Sequence, residues 1–277
     1  AWGFARVLRL EHISMRTQSA DVSLGGASFM PCAVLMTPPA EVEVSWRTAE
    51  CFVARLRACL PIPTTGTSAA RGLYAITGGL GGLGLRAAML LAEGGASQVL
   101  LTSRSGRVMR DGQCFQAPSR AKGNVVAGVA CDSADCSDDT NALLLASSLA
   151  GMLHAAGLGD KGLLIELAVR RVQWMYAPKA IGSWHLQCIL TIQPLEAHML
   201  FSSVDSGLGN VGQANYAAAN ACLDASALLR RAHGTAACSL QWPLIGGAGM
   251  GAAAFDALRE RQVAIAGLAG IALEEYR

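Results

Sequence analysis

Two rhythms of apolar and polar positions divide the chain near residue 71. Downstream, short unbroken apolar runs alternate with longer stretches whose apolar positions recur at helical spacing. The run GLYAIT enters a cluster of glycines, LGLRAAMLLAEGG has helical periodicity and stops at Gly94 and Gly95, and QVLLTSR is apolar again before Ser103 and Arg104. Strand, helix, strand is a βαβ unit. The alternation continues with GNVVAGVACD as a third strand, DDTNALLLASSLAG as a helix and GMLHAAG as a fourth strand. A long helix is predicted from about Leu164 to Leu190, followed by AHMLFSS as strand five, GQANYAAANACLDASALLRRA as a helix and TAACSLQW as strand six. Strands that read as near-continuous apolar runs are covered on both faces, as in a parallel sheet between two helical layers. The predicted fold is therefore α/β, a doubly wound parallel sheet.

Residues 1–70 are punctuated differently. The stretches MPCAVLMTPPAEVEVSW and CLPIPTTGTSAARG are broken by proline and small polar residues, and the second reads as a linker ending near Arg71. No core is assigned to this part. The expected organisation is an N-terminal structural segment and linker over 1–70, then a nucleotide-binding catalytic unit over 71–277. The opening AWGFARVLRLEH has no initiator Met and no signal-peptide pattern, which reads as a piece of a longer chain.

Composition narrows the function classes. Charged residues make up only 15% of the chain, yet no window approaches the ~18 uninterrupted apolar residues of a membrane span. The net charge of +2 is scattered rather than striped, so nucleic acid is not an expected partner and a small or carried substrate is. The nine cysteines, Cys32, Cys51, Cys59, Cys114, Cys131, Cys136, Cys188, Cys222 and Cys238, form no CxxC pair, which disfavours zinc or a disulfide framework. Cys188, Cys222 and Cys238 sit in apolar runs and read as buried free thiols. The whole pattern suits a soluble protein of a reducing, cytoplasmic compartment, with no metal site expected.

The glycines of TGGLGGLG lie between the first strand and its helix, with Gly78, Gly82 and Gly84 spaced as GxxxGxG. At that place glycine permits a tight turn and close backbone approach to a pyrophosphate, which the amides at the helix N-terminus then face. A purely structural glycine turn is the competing account. The GxxxxGK[ST] pattern of a P-loop is absent. After the second strand, TSRSGR offers Arg104 and Arg107 where a carboxylate would select a free ribose 2′-hydroxyl, so a 2′-phosphate and NADPH are favoured. Asp132, closing the third strand, either accepts from an adenine amino group or caps the segment that follows.

Ser203 at the end of strand five precedes Tyr216 by thirteen residues, and Asn220 follows Tyr216 by one helical turn. Reducing a ketone by hydride needs a proton donor at the oxygen, and a tyrosine serves if a nearby cation lowers its pKa from the usual ~10. Tyr216 and Asn220 share a helix face, and the Ser203 hydroxyl can polarise the same oxygen. Short-chain dehydrogenases usually carry lysine where this chain has Asn220. Here APKAIGSWHL offers Lys179 on the preceding helix instead. That exchange, together with YAITGGLGGLG, LLTSRSG, LHAAGLGDKGLL, MLFSSVDSGLGNVGQANYAAANACLDA and SLQWPLIGGAGM, resembles the ketoreductase domains of modular polyketide synthases from about Gly72 to the end.

The resemblance implies a Rossmann fold of the short-chain dehydrogenase type and NADPH-dependent reduction of a β-ketoacyl thioester held by an acyl carrier protein. Neighbouring synthase domains are the other implied partners. Tyr216 would donate the proton, Ser203 would hold the keto oxygen, and Lys179 and Asn220 would complete the tetrad. Gly78, Gly79, Gly82, Leu83 and Gly84 would cradle the cofactor, with Ser103, Arg104 and Asp132 beyond them. Ala155, Ala156 and Gly157, after His154, would line its nicotinamide side; His154 itself reads as a hydrogen-bonded core residue. The chain departs from the family at Gly159, Asp160 and Lys161, where many members have LDD, at Leu208, where others have Trp, and at Pro243 and Ile245. Product configuration is therefore left unassigned. The equivalent reductase of a multifunctional fatty acid synthase and a ketoreductase-like module that no longer reduces are the rival readings.

Overall fold

Tyr74, Ala75 and Ile76 are consecutive and all buried, which a strand achieves only when both its faces are covered. In the computed structural model, which describes residues 1–22, 40–47, 50–58, 70–108, 125–144, 148–246, 256 and 271–272, they lie in β4 (Leu73–Thr77). Among the described residues three strands precede it: β1 (Ser19–Val22), β2 (Glu43–Arg47) and β3 (Glu50–Phe52). After it come β5 (Gln98–Ser103), β6 (Val125–Ala130), β7 (Leu149–His154), β8 (Ala197–Ser203) and β9 (Cys238–Trp242). Strands β4 to β9 form one parallel sheet in the order β6-β5-β4-β7-β8-β9, and β10 (Ile245–Gly246) pairs separately with β11 (Ile271–Ala272). The predicted doubly wound sheet is thus present. Its strand order reverses between β4 and β7, and that switch opens a crevice at their carboxyl ends.

Alternate side chains go to opposite layers. Tyr74 and Ile76 join Val99, Leu101 and Leu153 beneath α2 (Gly82–Glu93), whose Leu85, Ala87 and Ala88 complete that core. On the other face Ala75, Leu100 and Met152 meet Leu143 of α3 (Cys136–Leu144) and Leu186 of α5 (Gly182–Ile189). Full burial of one such leucine contributes roughly 1.5–3 kcal/mol. Among the described residues no helix is long and apolar enough to cross a membrane.

The helix predicted from Leu164 to Leu190 is interrupted. A 3-10 turn at Leu164–Glu166 is followed by α4 (Val169–Tyr176), a π turn at Ala177–Ile181 and then α5. Pro178 explains the break, because it has no N–H to give to the preceding turn. The residue gained in the π turn rotates Lys179 inward, where it is 3% exposed. The cysteine expectation also fails in part: Cys188 and Cys238 are exposed and Cys222 half-buried, whereas Cys131 is buried. Cys188 lies between Leu186 and Leu190 in sequence but off their buried face, and apolar neighbours in a helix do not make a residue apolar-facing.

The N-terminal stretch, given no core from sequence, has structure of its own. Parallel β1 and β2 with antiparallel β3 make a small sheet in which Val44 and Trp46 are buried beside Val22. Before it, α1 (Trp2–Glu11) lies on α7 (Ala214–Ala232), with Val7 buried against Ala214 and Ala217. The approach is at backbone distance: a Cβ on Gly3 would stand 2.4 Å from the Ala217 carbonyl oxygen. The Arg6 guanidinium donates to both oxygens of Glu43, at 2.7 and 2.5 Å, and Arg9 pairs with the same carboxylate. Of the linker predicted to end near Arg71, residues 59–69 lie outside the described residues.

Candidate active site

Three residues at four-residue steps, Tyr216, Asn220 and Asp224, run along one stripe of α7. Asn220 is fully buried and its amide donates to the Tyr216 carbonyl at 2.9 Å, while its own Oδ1 has no hydrogen-bond partner. Ser203, the last residue of β8, caps the short helix α6 (Val204–Leu208), accepting from the Asp205 amide at 3.2 Å. Accepting that bond fixes the hydroxyl and leaves its proton free to be donated. Lys179 arrives from the π turn and donates to the Phe201 carbonyl at 3.0 Å, its Nζ 5.7 Å from the centre of the Tyr216 ring. The four predicted residues are thereby brought to one place, beside the carboxyl end of β8.

Burial governs the charges. It pushes the Lys179 ammonium down to about 8, with Asp224 pulling the other way. Asp224 was not singled out in the sequence, although its spacing from Asn220 was visible. Its carboxylate accepts from Ser239 at 2.6 Å and Gln241 at 2.8 Å, with the Ser206 hydroxyl 2.6 Å away. The Tyr216 phenol departs from the sequence expectation of a lowered pKa. Burial raises it first and Asp205 adds to the rise, while Ser203 and Asn220 pull it down by less. His154 stays neutral, its pKa lowered to about 3 mainly by burial and next by Lys179, and its Nδ1 lies 2.6 Å from the Thr77 hydroxyl. A core histidine is what the sequence suggested.

The glycine loop adjoins this site at the β4/β7 switch. Gly78 has a φ of +65°, and a Cβ there would stand 2.6 Å from the Ala156 nitrogen, so the loop is pressed against the segment after His154. Gly84 likewise has no room, its Cβ falling 2.5 Å from the Gly78 carbonyl oxygen. Helix α2 starts after Gly81 without any side-chain cap, and its first intrahelical bond is donated by Leu85, leaving the amides of Gly82, Leu83 and Gly84 without one. Past β5, Arg104 and Arg107 are exposed on the turn that closes through Gly106, and Ser103 Oγ is buried without a partner. Asp132 spends one oxygen on the Ala134 amide at 3.0 Å, which is the local capping role. Among the described residues no cluster of three or more His, Cys, Asp or Glu is placed to hold a metal.

A family model described as KR domain matches residues 72–247, from the first residue before β4 to the glycines after β9. The chain belongs to the ketoreductase family. NorB of the spectinabilin polyketide synthase system of Streptomyces orinoci is 40% identical to this ketoreductase over 211 residues, 74% of this chain and 10% of that protein. Polyketide synthase GfsA of Streptomyces halstedii is 35% identical over 252 residues, 87% of this chain and 3% of that one. Among solved structures, an A1-type ketoreductase superposes with a TM-score of 0.88 at 30% identity, covering 99% of this chain and 59% of that chain. The ketoreductase from the first module of phoslactomycin biosynthesis in Streptomyces sp. HK803 gives 0.84 at 31%, covering 99% and 64%. This ketoreductase therefore spans a tenth or less of those synthases and under two thirds of those structures.

Ketoreductases of the short-chain dehydrogenase superfamily bind a nicotinamide cofactor, and the residues present fit one. The uncapped amides of α2 offer positive dipole ends to a pyrophosphate. Glycine at 78 and 84 lets the loop fold tightly on backbone at the start of α2, and past the end of β5 the buried Ser103 hydroxyl has no hydrogen-bond partner among the described residues. Asp160 was named in the sequence only as a departure from LDD. In the structure it accepts from Arg171 at 3.0 and 2.5 Å and from the amide of Asn215, next to Tyr216, at 2.7 Å. Lys161 beside it is exposed, as a solvated loop charge would be.

Proposed function

We propose that this ketoreductase uses NADPH to reduce the β-ketone of an acyl thioester presented by an acyl carrier protein within a cytoplasmic polyketide synthase. The observation that carries the reading is the meeting of Lys179, Ser203, Tyr216 and Asn220 beside the switch-point crevice. Residues 71–277 are the catalytic unit in this reading, and residues 1–70 a structural segment that braces it. When bound, NADPH supplies a hydride to the carbonyl carbon. Ser203 keeps its proton and donates its O–H as a hydrogen bond to the ketone oxygen, holding it against Tyr216, where a fixed donor favours the developing alkoxide. Tyr216 then transfers its phenolic proton to that oxygen, giving the alcohol. Its raised pKa keeps the phenol protonated and ready at neutral pH. Lys179 lies over the ring and, with Asn220, returns a proton to the phenolate. Arg104 recognises the 2′-phosphate that distinguishes NADPH from NADH.

The test follows NADPH consumption with a simple β-ketoacyl thioester. The unaltered chain is expected to turn over, and Tyr216→Phe to lose activity by about 10²- to 10⁴-fold while still binding the cofactor. A chain that neither binds NADPH nor consumes it would refute the reading and favour a non-reducing module. Chiral analysis of the product assigns its configuration.

A further inference from the structure

Glu11 occupies the last residue of α1, where the negative end of the helix dipole makes a carboxylate the electrostatically wrong choice. Its two oxygens are both used. Oε2 accepts from the Leu164 amide at 2.7 Å and Oε1 from the Gly212 amide at 2.8 Å, across sequence separations of 153 and 201 residues. These are charge-assisted bonds to backbone groups of two different loops. One loop follows the His154–Gly157 segment beside the glycine cradle; on the other, Gly212 lies four residues before Tyr216. The loops are also joined to each other, Gly162 donating to the Gly212 carbonyl at 2.9 Å. A third stitch is the bond from Asn215 to Asp160. Leu163 and Ile165 on the first loop and Val211 on the second are exposed apolar residues beside these ties.

We propose that Glu11 is a positioning residue that holds these two loops at the spacing the acyl substrate needs, so that the N-terminal helix sets substrate affinity. This rests on the reduction reading above, with the loops bordering the entry to the tetrad. Glu11 touches no reacting atom. It acts through the backbone at Leu164 and Gly212, and its loss is felt by the bulky carried substrate before it is felt by the cofactor or the proton donor.

The experiment compares Glu11→Ala and Glu11→Gln with the unaltered chain in thioester kinetics, NADPH titration and hydrogen exchange resolved to single amides. Glu11→Ala is expected to raise KM for the thioester about tenfold, the scale of one lost charge-assisted bond, with kcat and NADPH affinity changed less than about twofold. The Leu164 and Gly212 amides should exchange at least about tenfold faster. Glu11→Gln keeps one acceptor oxygen and should fall between the two, a rescue that general destabilisation does not give. Unchanged KM despite faster exchange would overturn the proposal, as would a parallel fall in kcat, NADPH affinity and melting temperature. Equal exchange in all three proteins overturns the clasp itself, whether or not any of them turns over. Absence of turnover in the unaltered chain, with both amides protected by Glu11, would instead count against the reduction reading and remove the substrate role with it.

Discussion

Replacing Lys179 by Met separates what the lysine does for the chemistry from what it costs the fold. Its folded pKa of about 8 lies below the ordinary 10.5, so the folded state disfavours the charged form. For a base lowered in this way, stability is least below the folded value and returns as pH rises toward the unfolded one. At about pH 7 the charge costs about 3 kcal/mol, since a tenfold change in proton affinity between the folded and unfolded chain is worth ~1.4 kcal/mol. At about pH 9.5 the folded lysine has lost its proton while most unfolded chains keep theirs, and the cost falls by about 2 kcal/mol. Losing the bond to the Phe201 carbonyl also destabilises the variant, but by an amount that does not depend on pH. Urea unfolding of both proteins at the two pH values therefore isolates the lysine: the variant's stability relative to the unaltered chain should decline by about 2 kcal/mol as pH rises. Parallel pH dependences would mean that the lysine is as well solvated as in the unfolded chain, and would refute its desolvation. In the thioester assay the same variant should lose at least about 100-fold in turnover.

Gly78→Ala combines a positive φ with a Cβ 2.6 Å from backbone, so it should destabilise by roughly 1–3 kcal/mol and weaken NADPH binding, read by thermal melting and cofactor titration; an unchanged titration would refute the cradle. Arg104→Ala should reduce the NADPH over NADH preference in kcat/KM by about 10- to 100-fold, the worth of a charge-assisted contact to a phosphate, and an unaltered ratio would assign that recognition elsewhere. Asp139 is buried against the Cys131 thiol, and burial raises its carboxyl to about 7. An acid raised in this way stabilises fully below its unfolded pKa and loses that contribution as pH rises through the folded value. The advantage of Asp139→Asn in melting temperature should therefore grow between about pH 4 and pH 8; a constant gap would show that the carboxylate is not desolvated.

The sheet was legible because its strands are sandwiched: LYAIT and QVLLTS leave no polar alternation, and continuous apolar runs between helical periods have few other homes. The break at Ala177–Ile181 was harder to see, since apolar spacing on either side of Pro178 fits one helix and only the missing donor betrays the π turn. Lys179 was placed in the tetrad through the family resemblance, not through any local spacing, because its contact with Tyr216 is made by tertiary packing. Tyr216 and Asn220 share a face that periodicity alone reveals, yet the rise in the phenol's pKa depends on how deeply it is buried. Glu11 was beyond reach for the same reason, since both its partners lie more than 150 residues along the chain, and so was the tie of Asp160 to Asn215, 55 residues away, although Arg171 stands only eleven residues from Asp160.

The contact of Gly3 with Ala217 ties the first turn of α1 to α7, some two hundred residues further along, and this shapes how the molecule is made. During synthesis α1 emerges some two hundred residues before the surface it covers, so it must wait, unpaired, while the sheet assembles. Closing so long a loop is slow and comes late, which places the docking of α1 among the final steps of folding. A version shortened past Glu11 would leave Ala214 and Ala217 bare, and such a surface invites self-association. Where the chain is cut at this end therefore bears on whether purified material stays monodisperse, even though every residue of the tetrad lies far downstream.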